Sequence, residues 1–178
     1  MKAWEIAGSQ SQWDLLTINP ALVMGPPLNP QATTSESFRI LKQMGDGTFK
    51  LGAPKLGIGL VDVRDVADAH FEAGFKPNAS GRYITVAHST NFYDMAQILI
   101  PKYGDKYPIP KSTVPKWLLL LIGPVLNKTL SRKFIRNNMN VEWKADNSKI
   151  KKELGIKFRS LKVTMEDSFQ ALIESNIF

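Results

Sequence analysis

The chain has no cysteine and only two histidines, His70 and His88. Without thiols, disulfide staples and thiolate metal sites are excluded. Two imidazoles alone do not make a multi-histidine metal centre. Acidic residues are the minority charge: 16 Asp and Glu against 23 Lys and Arg, a net charge of +7 and a pI near 9.6. That balance permits nucleic acid, an anionic membrane or a phosphorylated ligand, and selects none of them. Positive residues of the C-terminal half, among them Lys128, Arg132, Lys133 and Arg136, fit solvated helix faces. Neither a nucleic-acid nor a membrane partner is therefore expected. Long apolar runs are scarce too. MKAWEIAGSQ has no apolar core of signal-peptide length, so a cytoplasmic location is expected. WLLLLIGPVL, residues 117–126, is too short to span a bilayer and contains Gly123-Pro124, which suggests a buried helix. With 43% hydrophobic and 22% charged residues, the 178 residues suit one soluble domain, or a small domain with an appendage.

KAWEIAG, residues 2–8, predicts the last turns of a helix closed by Gly8. DLLTINPALVMG predicts a strand buried on both faces, with Pro20 marking a strand end or a break in the ladder. SESFRILKQM predicts a helix with Phe38, Ile40, Leu41 and Met44 on one face and Ser35 as N-cap. GLVDVRDVADAHFEAGF, 59–75, predicts a strand turning into a helix capped by Asp62 or Asp65. GRYITVA, 81–87, alternates as a strand, and FYDMAQILIPKYG, 92–104, reads as a helix with Pro101 near its end. A proline-rich connection, YPIPKSTVPKW, leads to the apolar helix and a basic segment at 128–140. DNSKIKKELGIKF predicts a short capped helix ended by Gly155. The last helix, 160–175, turns Val163, Met165, Phe169, Leu172 and Ile173 inward.

Taken in order, NPALVMGPP, GLVDVRDVADAH, GRYITVA and DNSKIKKELGIKF resemble the C-terminal half of an extended short-chain dehydrogenase/reductase. The similarity is to the dihydroflavonol-reductase and cinnamoyl-CoA-reductase-like branch, and it covers nearly the whole chain. The resemblance implies an α/β fold: the C-terminal part of a doubly wound Rossmann-type sheet plus a smaller, mostly helical substrate-binding lobe. It assigns residues 1–25 and 75–100 to the dinucleotide-binding lobe, and 26–74 and 101–178 to the substrate lobe. It implies NADP or NAD as cofactor of the complete enzyme and a small aldehyde or ketone as substrate. By the family pattern, the backbone at Pro20, Leu22 and Val23 faces the nicotinamide amide. Ser35, at the start of the next helix, faces the diphosphate, where helix amides add to anion binding.

The family's Gly-rich turn after the first strand is not found, because GAPKLGIG precedes a strand and has no helix after it. Tyr-x-x-x-Lys on a helix, the proton donor and its lysine, is not found either. Tyr107 and Lys111 have the spacing, but Pro108 and Pro110 forbid a helix between them. By spacing from KAW, the expected pair falls a few residues before Met1. The chain alone is thus expected to be inactive, with no catalytic residue assigned and weak or no cofactor binding. Two alternatives stand beside the reductase reading: a binding or assembly module, self-associating or pairing with a separate N-terminal half, and part of a nucleotide-sugar epimerase or dehydratase. Asp62, Arg64, Asp65 and Asp68 suggest ion pairs that tie two parts together. His70 is expected to be packed, and His88 to follow a strand end. Trp117, Phe134 and Trp143 are expected in the core or, by the family arrangement, along a substrate pocket.

Overall fold

The computed structural model describes residues 2–29, 35–126 and 130–178. Helix α1 (Lys2–Gly8) is followed by strands β1 (Leu16–Pro20) and β2 (Leu22–Met24), then helix α2 (Glu36–Gly45). Strand β3 (Gly57–Asp62) runs directly into helix α3 (Val63–Phe75). Strands β4 (Gly81–Thr85) and β5 (His88–Asn91) lead into helix α4 (Phe92–Tyr103). Helices α5 (Lys116–Leu126) and α6 (Arg132–Asn138) precede a π-helical turn, Ile150–Leu154, and the closing helix α7 (Leu161–Glu174). The expected α/β class holds.

Pro20 does break the strand. The residues before it pair in parallel with β4, in the register Leu16 with Gly81. Those after it pair in parallel with β3, Leu22 with Leu60. Burial on both faces was also expected; instead β1 is half-buried to exposed, and among the described residues it pairs with β4 alone. Strand β5 completes the second sheet by pairing antiparallel with β3, in the order β2-β3-β5.

The principal core lies between this three-stranded sheet and helices α2, α4 and α7. It is built from Met24, Leu41, Met44, Leu60, Met95, Leu99, Met165, Phe169 and Leu172. Phe169 is fully buried at the centre of an aromatic cluster, with ring centroids 4.8 Å from Tyr103, 5.4 Å from Tyr107 and 4.9 Å from Phe178. Tyr107 therefore serves packing, in a segment that is not helical. A smaller core joins β4 to α3 and the π-helical turn through Tyr83, Ala69, Ala73, Ile150 and Leu154. A third, of Leu56, Val114, Leu119, Ile135 and Met139, seats α5 and α6.

Several expectations change. Within 146–158, Ile150–Leu154 form a wide π-helical turn, which puts both Ile150 and Leu154 into the second core; Gly155 (φ 74°) ends it as expected. In α7, Val163 is exposed while the polar Thr164 and Ser168 are buried. They tolerate burial because Thr164 donates to Asp62 and Ser168 donates to the Thr164 carbonyl. His70 is exposed, its Nδ1 2.8 Å from the Val66 carbonyl. His88 opens β5, and its Nε2 lies 2.8 Å from the Arg159 carbonyl. Trp117, Phe134 and Trp143 are all exposed, outside the core.

Candidate functional site

Three chain segments meet at the exit of β2. The first is the turn Gly25-Pro26-Pro27. At Gly25 (φ 147°) a Cβ would collide with the Val63 side chain, so glycine lets the turn pass tightly over the first turn of α3. The second is the N-terminus of α2, where the Ser35 Oγ accepts the Phe38 N–H at 3.3 Å. Beside it, the Ser37 hydroxyl lies 3.4 Å from that of Ser35. The third is the start of α3. Between them lies a cleft of about 580 Å³, with Val23, Met24, Pro26, Pro27, Phe38, Leu41, Val63 and Leu172 as apolar walls. Ser35, Ser37 and Arg64 are its polar edge.

Arg64 is not a free cation. Its Nε and Nη2 donate to Asp62 at 2.8 Å each, and its Nη1 donates to Asp167 at 2.8 Å. Asp62 also accepts the Arg64 N–H at 2.9 Å, which caps α3, and the Thr164 hydroxyl at 2.8 Å. Burial would raise the Asp62 pKa, but the donors from Arg64 and Thr164 outweigh it and hold the carboxyl below its usual value. The two carboxylates hold the guanidinium of Arg64 charged against the effect of burial. Asp65, also fully buried, accepts the Arg159 N–H at 2.9 Å and pairs with the Arg159 guanidinium. These are the expected ion pairs and cap, and they clamp α3 to the chain entering α7.

Of the residues assigned from the sequence, Val23 and Ser35 line the same cleft. Pro20 and Leu22 are outside its lining. Pro20 is exposed at the end of β1 opposite Thr85, and Leu22 is half-buried against the main core. Sequence reasoning missed Val63 and Leu172. Gly25 was legible as a turn, a glycine before two prolines. Leu172 carried none, since only tertiary packing brings α7 to this place.

A second cleft of about 470 Å³ opens near the start of α4, lined by Lys55, Ser89, Asn91, Asp94, Glu142 and Trp143 among others. The Thr90 hydroxyl is buried in its wall without a hydrogen-bond partner.

No protein-family model matches the chain. Cinnamoyl-CoA reductase 1 of Arabidopsis thaliana is 34% identical over 172 residues, which is 97% of this chain and 43% of that protein. The similarity to the cinnamoyl-CoA reductases runs over nearly the whole chain and falls on their C-terminal part. Solved structures agree on the fold. Yeast methylglyoxal/isovaleraldehyde reductase Gre2, complexed with NADPH, superimposes with a TM-score of 0.68 at 24% identity, covering 99% of this chain and 53% of that one. Vestitone reductase from alfalfa (Medicago sativa L.) gives 0.68 at 19% identity, covering 99% and 50%. The chain thus spans about half the length, or less, of the relatives it matches.

Proposed function

We propose that this chain supplies the substrate-side lobe and one wall of the nicotinamide pocket of an NADP- or NAD-dependent reductase of an aldehyde or ketone. The observation that carries this reading is the shared cleft of Val23 and Ser35. Two positions assigned separately from the family pattern converge on one cavity, between an apolar wall and a helix N-terminus. The donor set suits the ligand in part. An uncharged nicotinamide ring fits against Val23 and the prolines, and the Ser35 hydroxyl with the α2 amides fits a phosphate oxygen. Arg64, already saturated by two carboxylates, adds no free charge. When bound, the reduced nicotinamide supplies the hydride for the carbonyl carbon. The chain's own residues orient that ring and exclude water from its face; the proton donor belongs to the helical Tyr-x-x-x-Lys of the family.

The division into a dinucleotide-binding part (1–25, 75–100) and a substrate part (26–74, 101–178) goes with the same proposal, as does a cytoplasmic setting. So does a sheet neighbour for β1, whose Leu16 and Ile18 are only half-buried in the described structure. The test is a chimera of Arabidopsis cinnamoyl-CoA reductase 1 in which this chain replaces the matching segment. We expect it to bind NADPH by fluorescence titration and to oxidise it in the presence of an aldehyde. We expect Ser35→Ala to weaken that binding roughly ten- to a hundredfold, the loss of one hydrogen bond to a charged group. A folded chimera that binds no NADPH would overturn the proposal.

A further inference from the structure

The apolar helix α5 does not hide its apolar surface. Trp117 is 68% exposed, Leu121 62% and Val125 86%. Spaced four residues apart, they form one stripe along the helix. The opposite side is anchored. Leu119 is buried in the third core, and Gly123 lets α6 approach so closely that a Cβ there would stand 3.0 Å from the Ile135 Cδ1. Phe134, on α6, is also exposed.

The charge along this stretch of the sequence is one-sided. Between Asp105 and Glu142 there is no acidic residue, while Lys106, Lys111, Lys116, Lys128, Arg132, Lys133 and Arg136 all fall there. The other 16 Lys and Arg equal the 16 Asp and Glu in number, so the whole net charge of +7 resides in residues 106–141. Arg132, Lys133 and Arg136 are exposed on α6, and the Arg132 Nε lies 3.4 Å from the Leu120 carbonyl, beside the stripe. Among the described residues no helix is long and apolar enough to cross a membrane.

We infer that the α5–α6 face binds an anionic lipid surface peripherally, with Trp117, Leu121 and Val125 entering the interface and the basic residues over the headgroups. The chemistry favours this occupant. A protein partner needs shape and matched polar groups, whereas an interfacial helix needs an apolar stripe, a tryptophan and unopposed positive charge. The inference departs from the expectation of no membrane partner, which considered the length of the apolar run and not the exposure of its face. It does not depend on the reductase reading.

The experiment is co-sedimentation of the purified protein with phosphatidylcholine vesicles, with and without phosphatidylserine. Binding to the anionic vesicles alone, weakened by added salt, is the expected result. Leu121→Ser with Val125→Ser should weaken it at least tenfold, and Arg132→Gln with Lys133→Gln roughly fivefold per residue. Phe71→Ser with Phe75→Ser, changing an exposed apolar pair on α3, should bind as the parent does. Absence of binding to anionic vesicles would overturn the inference, as would equal loss in the α3 control. So would a soluble dimer that the Leu121/Val125 variant dissolves without any vesicle binding, because the face would then belong to a second copy.

Discussion

Replacing Asp62 by alanine tests whether the clamp between α3 and α7 holds the fold. Asp62 is 1% exposed and accepts four hydrogen bonds, three from Arg64 and one from Thr164. Losing the N-cap costs about 1 kcal/mol. The Thr164 hydroxyl, fully buried, loses its acceptor, which costs a further ~1–3 kcal/mol. Arg64 is one-third exposed and keeps Asp167, so its share is screened and adds less than about 1 kcal/mol. The expected total is about 3 kcal/mol, or roughly 6–12 °C in Tm for a domain of this size. Urea denaturation followed by circular dichroism measures it. Thr164→Val alone should cost about 1.5 kcal/mol in the parent and much less in the Asp62→Ala background, because the two share one bond. The pH dependence has a definite sign. The folded carboxyl titrates below its unfolded value of about 3.9, so its contribution is complete above that pH and is lost as pH falls through the folded pKa. Asp62→Ala should therefore flatten the acid limb of the stability profile. A cost below about 1 kcal/mol, with an unchanged acid limb, would refute the reasoning.

Other substitutions probe separate parts. Tyr83→Phe removes a hydroxyl that donates to Glu153 at 2.9 Å and accepts the Ser80 N–H at 2.9 Å; the expected loss is about 1–2 kcal/mol by thermal melt. Phe169→Ala opens a cavity in the aromatic cluster and should cost ~3–5 kcal/mol in urea. Gly45→Ala places a methyl 2.6 Å from Phe178 and 2.7 Å from Phe169, so a Tm loss matching ~1–3 kcal/mol is expected, with partial recovery in the Phe178→Leu background. Ser35→Ala, which deletes the α2 cap, should lower stability by about 1 kcal/mol in the chain on its own.

Helices with both a cap and a periodic apolar face were readable from the sequence. Ser35, Asp62 and Ser160 cap α2, α3 and α7, each within a residue or two of the expected start. Pro20 was readable as a break because it has no N–H to give a ladder. Strand β5, HSTN, was not: it is four residues long, polar, and defined by its pairing with β3. Helix α6, RKFIRNN, is too short and too basic to show a period. In α5 nearly every side chain is apolar, so no pattern told the inner from the outer face. Thr164 was not named among the inward residues of α7; the presence of Asp62 opposite is what makes its burial favourable. The cleft was half legible. Val23 and Ser35 follow from local motifs, but Leu172 arrives from the last helix.

The break at Pro20 also governs the order in which this molecule can assemble. Residue 16 waits for residue 81, 65 positions later, and residue 22 for residue 60, 38 positions later. Both ladders are parallel, so neither can close by a tight hairpin. The antiparallel contact between β3 and β5, by contrast, joins Leu60 to His88 across only 28 positions. Loop closure favours that nearer pairing first and the β1–β4 ladder last. During synthesis, Leu16 and Ile18 leave the ribosome long before β4 exists to cover them. Among the described strands, the earliest made is thus the last to be paired within this chain, and it is open to misassociation over that interval.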